Sequence, residues 1–242
     1  MDDFDPATSF AGQIAEHYDD APRGDEAACT ALLAELAHGG PALEFAIGTG
    51  RVALPLASRG VQVSGIELSA DMVAQLRARP GGAQVPVVLG DMTTEVVPGR
   101  FALVYLVFNT VFNLLSQDAQ VRCFENAARH LDDDGVFLVE AASPWAWTPR
   151  GERTRAEWVT QDGVGLDVSR YDPVTQLLET NHVSITEQGN RFFPIVLRLA
   201  YPAELDLMAR LAGLKLVDRW GGWHRQPFTA DSVQHVSVYA RS

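Results

Sequence analysis

Glu44, Gly48 and Gly50 stand in the stretch LEFAIGTGR (43–51), where an apolar run ends in two glycines one residue apart. A turn of this kind lets backbone amides approach a nucleotide-like ligand closely. Further along, GIE ends on Glu67, and LGDM carries Asp91 followed by Met92. A carboxylate at Glu67 suits the paired hydroxyls of a ribose. One at Asp91 can accept from the amino group of adenine, while the Met92 N–H reaches a ring nitrogen. A P-loop needs Gly-Lys-Ser/Thr after its first glycine, and GTGRVA has none. A dinucleotide turn needs G-x-G-x-x-G or -A, which GTGRVA meets only with Ala53 in last place. Glu67 fits a ribose-binding acid in either case, so the turn alone leaves the ligand open.

The surrounding pattern says how these residues are positioned. Strands are expected at 42–47, 61–67, 84–90, 100–108 and 135–141, and helices at 51–59, 69–79 and 116–131. Pro55 is tolerable only near the first turn of its helix. Ser69 and Ser116 are helix N-caps by type and place. Strands apolar on both faces, alternating with helices, specify a parallel sheet covered on both sides. Glu67 and Asp91 then share the carboxyl edge with the glycine turn, where open α/β sheets bind ligands. Two helical segments, 8–18 and 25–38, form an N-terminal helical cap over 1–40. From 143 to 200, alternating runs punctuated by DG, DP and QGN predict an antiparallel insertion. A helix ending at Gly213 and two last strands, LKLVDRW and QHVSVYA, complete a core spanning 41–142 and 201–242.

The bulk properties narrow the class. The 242 residues, 47% hydrophobic and 21% charged, suit one large domain, or a domain with an insertion, around a full core. A net charge of −12 argues against nucleic acid and against an anionic membrane surface. Cys29 and Cys123 have no C-x-x-C partner and read as small core residues. The acidic start MDDFDPATSF lacks a secretory pattern, and FALVYLVFNTVFNLL is too short to span a bilayer, so a cytoplasmic location is expected. The histidines are scattered without ligand spacing, so no metal is expected.

Taken together, EFAIGTG, GIELS and GDM resemble the class I S-adenosylmethionine (SAM) dependent methyltransferases, and most of all their small-molecule tailoring branch, which includes deoxyaminosugar N-methyltransferases. VFNTVFNL, LDDDGVFLVE, the antiparallel insertion and an N-terminal tyrosine, Tyr18, add to the likeness. The resemblance implies a doubly wound, Rossmann-like α/β sheet of seven strands with an antiparallel lid at 143–200 after strand five. It implies SAM as cofactor and S-adenosylhomocysteine as product. Gly48 and Gly50 would face the methionine part, with Tyr18 and Arg23 closing over its carboxylate. Glu67 and Leu68 would meet the ribose side, Asp91 and Met92 the adenine. Leu106 and Phe108 would border the cofactor, and Glu44 would act from behind the turn. Two departures stand out: Ala46 replaces the usual first glycine, and Ala102 replaces a common acid.

The reaction expected is an in-line methyl transfer to nitrogen or oxygen of a small molecule, such as a secondary metabolite or amino-bearing sugar. Asn109 is expected to face the transferred methyl, Glu140 to bind an amine or amide, and His224 to act as base or substrate contact. Phe112, Trp145, Tyr171 and Trp223 are the expected substrate contacts. An oligomer, from a homodimer upward, is compatible with this reading. The alternatives are an NAD-dependent oxidoreductase, for which no Tyr-x-x-x-Lys pair exists, and a non-catalytic scaffold of the same fold.

Overall fold

In the computed structural model, residues 1, 4–5, 8–20, 23–148 and 152–242 are described. The N-terminal segment carries α1 (Gln13–His17) and α2 (Glu26–Ala37). The core then runs β1 (Ala42–Phe45), α3 (Ala53–Ala57), β2 (Val63–Glu67), α4 (Ala70–Ala78), β3 (Val87–Leu89), β4 (Phe101–Leu106), α5 (Gln117–His130) and β5 (Leu131–Ala142). After a short α6 (Pro144–Trp147) come β6 (Glu152–Val159), β7 (Gly163–Asp172), β8 (Leu177–Thr186) and β9 (Gly189–Arg198). The chain closes with α7 (Pro202–Leu211), β10 (Leu214–Trp220) and β11 (Gln234–Arg241).

The core sheet has seven strands in the order β10-β11-β5-β4-β1-β2-β3. β1 to β5 pair in parallel, and β11 enters antiparallel beside β5. Alternation along β4 feeds two cores. Leu103 and Tyr105 pack on the side of α2, α3 and α4, while Val104 and Leu106 pack with Phe124 of α5 and Met208 of α7. The Ser69 and Ser116 hydroxyls cap α4 and α5, accepting from the Met72 and Ala119 amides at 3.3 and 3.1 Å. Pro55 is the third residue of α3, within its first turn. The inserted strands form a separate four-stranded antiparallel sheet, β6-β7-β8-β9.

Two expected strands end early for one reason. β1 stops at Phe45 because Ala46 turns left-handed at φ 53°, and β4 stops at Leu106 because Phe108 and Asn109 do so at 60° and 62°. β5 instead begins four residues earlier than expected, at the end of α5, across a register shift opposite Phe101. The 3₁₀ turns Gly82–Gln84 and Thr110–Asn113, and α6, were not foreseen. Among the described residues, no helix is long and apolar enough to cross a membrane.

Candidate cofactor and acceptor site

The sheet order reverses between β1 and β4, and the carboxyl ends of β1, β2 and β3 open there into a cavity of about 360 Å³. Ala46, Gly48, Glu67, Leu68, Asp91 and Met92 all line it. Glu67, buried, accepts from the Gly48 amide at 2.8 Å and the Ser69 amide at 2.9 Å. Burial raises its pKa, and these amides oppose the rise. A carboxylate has about four lone-pair sites, so two remain for a pair of hydroxyls. One Asp91 oxygen accepts from the Thr93 amide at 2.8 Å, which fixes the turn, and Asp91 lines the cavity. Leu68 and Met92 give apolar walls suited to a purine.

A small pocket of about 30 Å³ continues past Gly48 under Tyr18, with Glu44, Thr49, Arg51 and Phe108 in its wall. The Thr49 hydroxyl there is buried and has no protein partner. A buried hydroxyl without a partner is costly, and a polar ligand tail relieves that cost. Arg23 and Arg51 place their guanidinium carbons 3.8 and 4.6 Å from the centre of the Phe108 ring. The residues present therefore fit an adenosine carrying a charged amino-acid tail. Glu44 sits below, accepting from the Tyr105 hydroxyl at 2.9 Å, and burial pushes its carboxyl up to about 8. Gly50 is not part of this surface. A Cβ there would lie 2.3 Å from Leu76 Cδ1, so its hydrogen serves close packing of α3 on α4.

A third space, about 560 Å³, lies between the sheet edge and the inner face of the inserted sheet. Alternate residues form that face: Arg153, Arg155 and Glu157 on β6, Asp167 and Ser169 on β7, Thr180 and His182 on β8, Phe193, Ile195 and Leu197 on β9. The register sets Arg155, Asp167, His182 and Phe193 in one row across the strands. Phe10, Tyr18, Thr110 and Asn113 line both this space and the cofactor-side cavity, and Tyr18 and Thr110 also line the small pocket. Burial pushes the Tyr18 hydroxyl up to about 12, so it stays a neutral donor.

Several expected contacts lie elsewhere. Trp223 is buried against α2 and donates to Asp25 at 3.2 Å, because β10 and β11 stand at the sheet end beyond β5. His224 is exposed beside it, its amide donating to the Gln226 side chain. Trp145 packs on Tyr201 and Phe228, and Trp147, two residues on and facing another way, lines the acceptor space instead. Phe112 and Leu106 are fully buried in the α5-side core, and Tyr171 packs on that core at the base of the lid sheet. Glu140 is 1% exposed and lines none of the three spaces, whereas Asn109 lines the acceptor space. The histidines looked scattered in sequence, yet His182 lies 3.1 Å from Glu157, and these two with Asp167 bring ligand-type atoms within 4.8 Å of one another. Such a set can meet a cation or a polar substrate group. Phe10, Thr110 and Asn113 were missed. The period-two pattern of the lid was readable, but not which of its faces looked inward.

An open α/β sheet of this order, with an acid ending β2 and a nucleoside-sized cavity at its switch point, defines a class I SAM-dependent methyltransferase, and the chain belongs to that family. A methyltransferase-domain family model matches residues 42–135. The CcbJ methyltransferase from Streptomyces caelestis is 39% identical, with 99% of this chain and 100% of that one covered and a TM-score of 0.92. A dTDP-3-amino-3,6-dideoxy-alpha-D-glucopyranose N,N-dimethyltransferase from Streptomyces fradiae is 36% identical over 153 residues, which are 60% of this chain and 57% of that relative. SAM-bound CalS10, an amino pentose methyltransferase from Micromonospora echinaspora, shares the fold at a TM-score of 0.71 and 21% identity over 96% of this chain and 98% of that one. SAM is the cofactor of this family.

Proposed function

We propose that the protein methylates an amine nitrogen of a small, partly polar molecule held between the sheet edge and the inserted sheet. The observation that carries this is the junction at Tyr18 and Thr110, where the cofactor-side cavity, the tail pocket and the acceptor space meet. When bound, SAM supplies an electrophilic methyl group on a good leaving group. In this reading Glu67 holds the ribose hydroxyls, and Asp91 and Met92 hold the adenine. Gly48, Thr49, Arg23 and Arg51 receive the amino-acid tail, and Tyr18 closes over it. The inserted sheet acts as a lid. Its Ile195 and Leu197 exclude water, and its polar row orients the acceptor so that a lone pair faces the junction.

Nitrogen is favoured over oxygen by the names of the relatives, which include sugar and glycopeptide N-methyltransferases, and by chemistry. A neutral amine needs no base, whereas a hydroxyl does. Among the described residues, the wall shared by the cofactor-side cavity and the acceptor space offers Phe10, Tyr18, Thr110 and Asn113 and no histidine or carboxylate. Calorimetry with SAM, S-adenosylhomocysteine and NADH tests the cofactor reading, with micromolar SAM binding and no NADH binding expected. Offering amino sugars and their hydroxy counterparts with labelled SAM tests the acceptor atom. Label appearing only in the hydroxy compounds would refute the nitrogen assignment.

A further inference from the structure

Glu140 is the buried acid that the site as described does not use, although it touches two of the segments that build the site. Phe108 and Asn109 are consecutive non-glycine residues in the left-handed region. Each such residue costs on the order of 1–2 kcal/mol, so two in a row persist only where something holds them. Three hydrogen bonds to β5 do so. The Glu140 carboxylate accepts from the Phe108 amide, the Glu140 carbonyl accepts from the Asn109 amide at 3.3 Å, and the Asn109 side-chain oxygen accepts from the Ala142 amide. The second carboxylate oxygen faces Arg23 of the N-terminal segment at 3.4 Å. That guanidinium in turn lies over the Phe108 ring, whose edge-on neighbour is Tyr18 at 6.4 Å.

We propose, on the basis of the methyltransferase reading above, that Glu140 is a positioning residue. From β5 it holds the turn after β4, whose Phe108 is a wall of the cofactor's tail pocket, and Arg23, which backs that ring. Phe108 carries this wall to both sides, because it lines the tail pocket and the acceptor space. The carboxylate acts through Phe108 and Arg23 and does not meet substrate. Its place at 1% exposure is tolerable because both oxygens are engaged, one by an amide and one by a cation.

The test is a double-mutant cycle with two readouts in the full-length protein. Glu140→Gln keeps the shape and an acceptor for the Phe108 amide but removes the buried one of the two carboxylate charges at Arg23, leaving Asp25 at 3.5 Å. It should weaken S-adenosylhomocysteine binding about tenfold, and the Phe108 and Asn109 amides should keep their slow hydrogen exchange without ligand. Arg23→Ala should match it in affinity. The double variant should be no worse than either single one, because both changes break one link. Glu140→Ala should also release the two amides to fast exchange. A role in stability alone predicts a lower melting temperature with unchanged affinity in the folded protein. Wild-type affinity in Glu140→Gln, or additive losses in the double variant, would overturn the proposal. Absence of binding by the wild type would instead overturn the cofactor reading, so the two failures are distinguishable. If Glu140→Ala does not fold, the Gln and Arg23 arms still decide.

Discussion

Ala46 adopts φ 53°, a conformation that charges an L-residue on the order of 1–2 kcal/mol, and its side chain lines the cofactor-side cavity. Glycine would remove that strain while adding roughly 0.5–1 kcal/mol of unfolded-state entropy cost. Ala46→Gly should therefore raise stability slightly, by about 0.5 kcal/mol or 1–2 °C in Tm, with SAM affinity kept. Gly50 answers a different demand from Gly48. Gly50→Ala drives a methyl into Leu76, which should destabilise by about 1–3 kcal/mol, with SAM affinity of the folded fraction unchanged. Gly48→Ala puts its methyl 3.3 Å from the Met72 Cε on a surface that faces the cavity, and should cost SAM affinity. Melting curves and calorimetry on the three variants separate these outcomes. In sequence the two glycines looked equivalent, because only the packing of α4 shows which one faces protein.

At the scale of elements, α5 does more than cover the sheet. Asn126, buried on its inner side, donates to the carbonyls of Met92 and Glu95 at 2.8 and 2.9 Å, and the His130 Nε2 accepts from the Val97 amide at 2.9 Å. One helix thus holds the turn that carries Asp91 and Met92. Asn126→Ala leaves two carbonyls unpaired and should cost about 1–3 kcal/mol of stability. SAM affinity should fall with it, whereas an exposed change on the same helix, such as Glu125→Ala, should leave affinity intact. Equal SAM affinity in folded Asn126→Ala would break this link. The helix at α5 was legible, but nothing in the sequence singles out Asn126, since its partners lie more than thirty residues away.

For the whole molecule, two buried groups shape the dependence of stability on pH. Burial lowers the pKa of His235 from 6.5 to about 3, so its contribution is lost as pH falls from 6.5 towards 3. Burial raises that of Glu44 from 4.5 to about 8, so its contribution is present below 4.5 and lost as pH rises towards 8. Between 4.5 and 6.5 the two slopes oppose each other. Above 6.5 only the Glu44 decline remains; burial raises Glu67 and Glu140 too, so their contributions carry the same sign as that of Glu44. Ligand-free protein should therefore melt at a lower temperature at pH 8 than at pH 6. Glu44→Gln should shrink that difference, and an unchanged difference would show that Glu44 does not titrate between pH 6 and pH 8.

Sequence by itself determined the order of elements, the parallel core with its antiparallel insertion, and the small set of residues that follow β1, β2 and β3. These depend on local period, on turn chemistry and on the rule that parallel strands share a carboxyl edge. Tertiary structure decided which residues meet across the insertion. His182, Glu157 and Asp167 lie on three strands: register pairs Asp167 with His182, and Glu157 joins them from the irregularity in β6 between Ala156 and Trp158. It also moved Trp223, Trp145 and Phe112 from an expected acceptor surface into packing, because an aromatic side chain has the same period whether it faces a cavity or a core. Glu140 shows the same division. Its place at the end of a strand was legible, whereas its engagement by an amide in the turn after β4 and an arginine before α2 is long-range, set by how the segments pack.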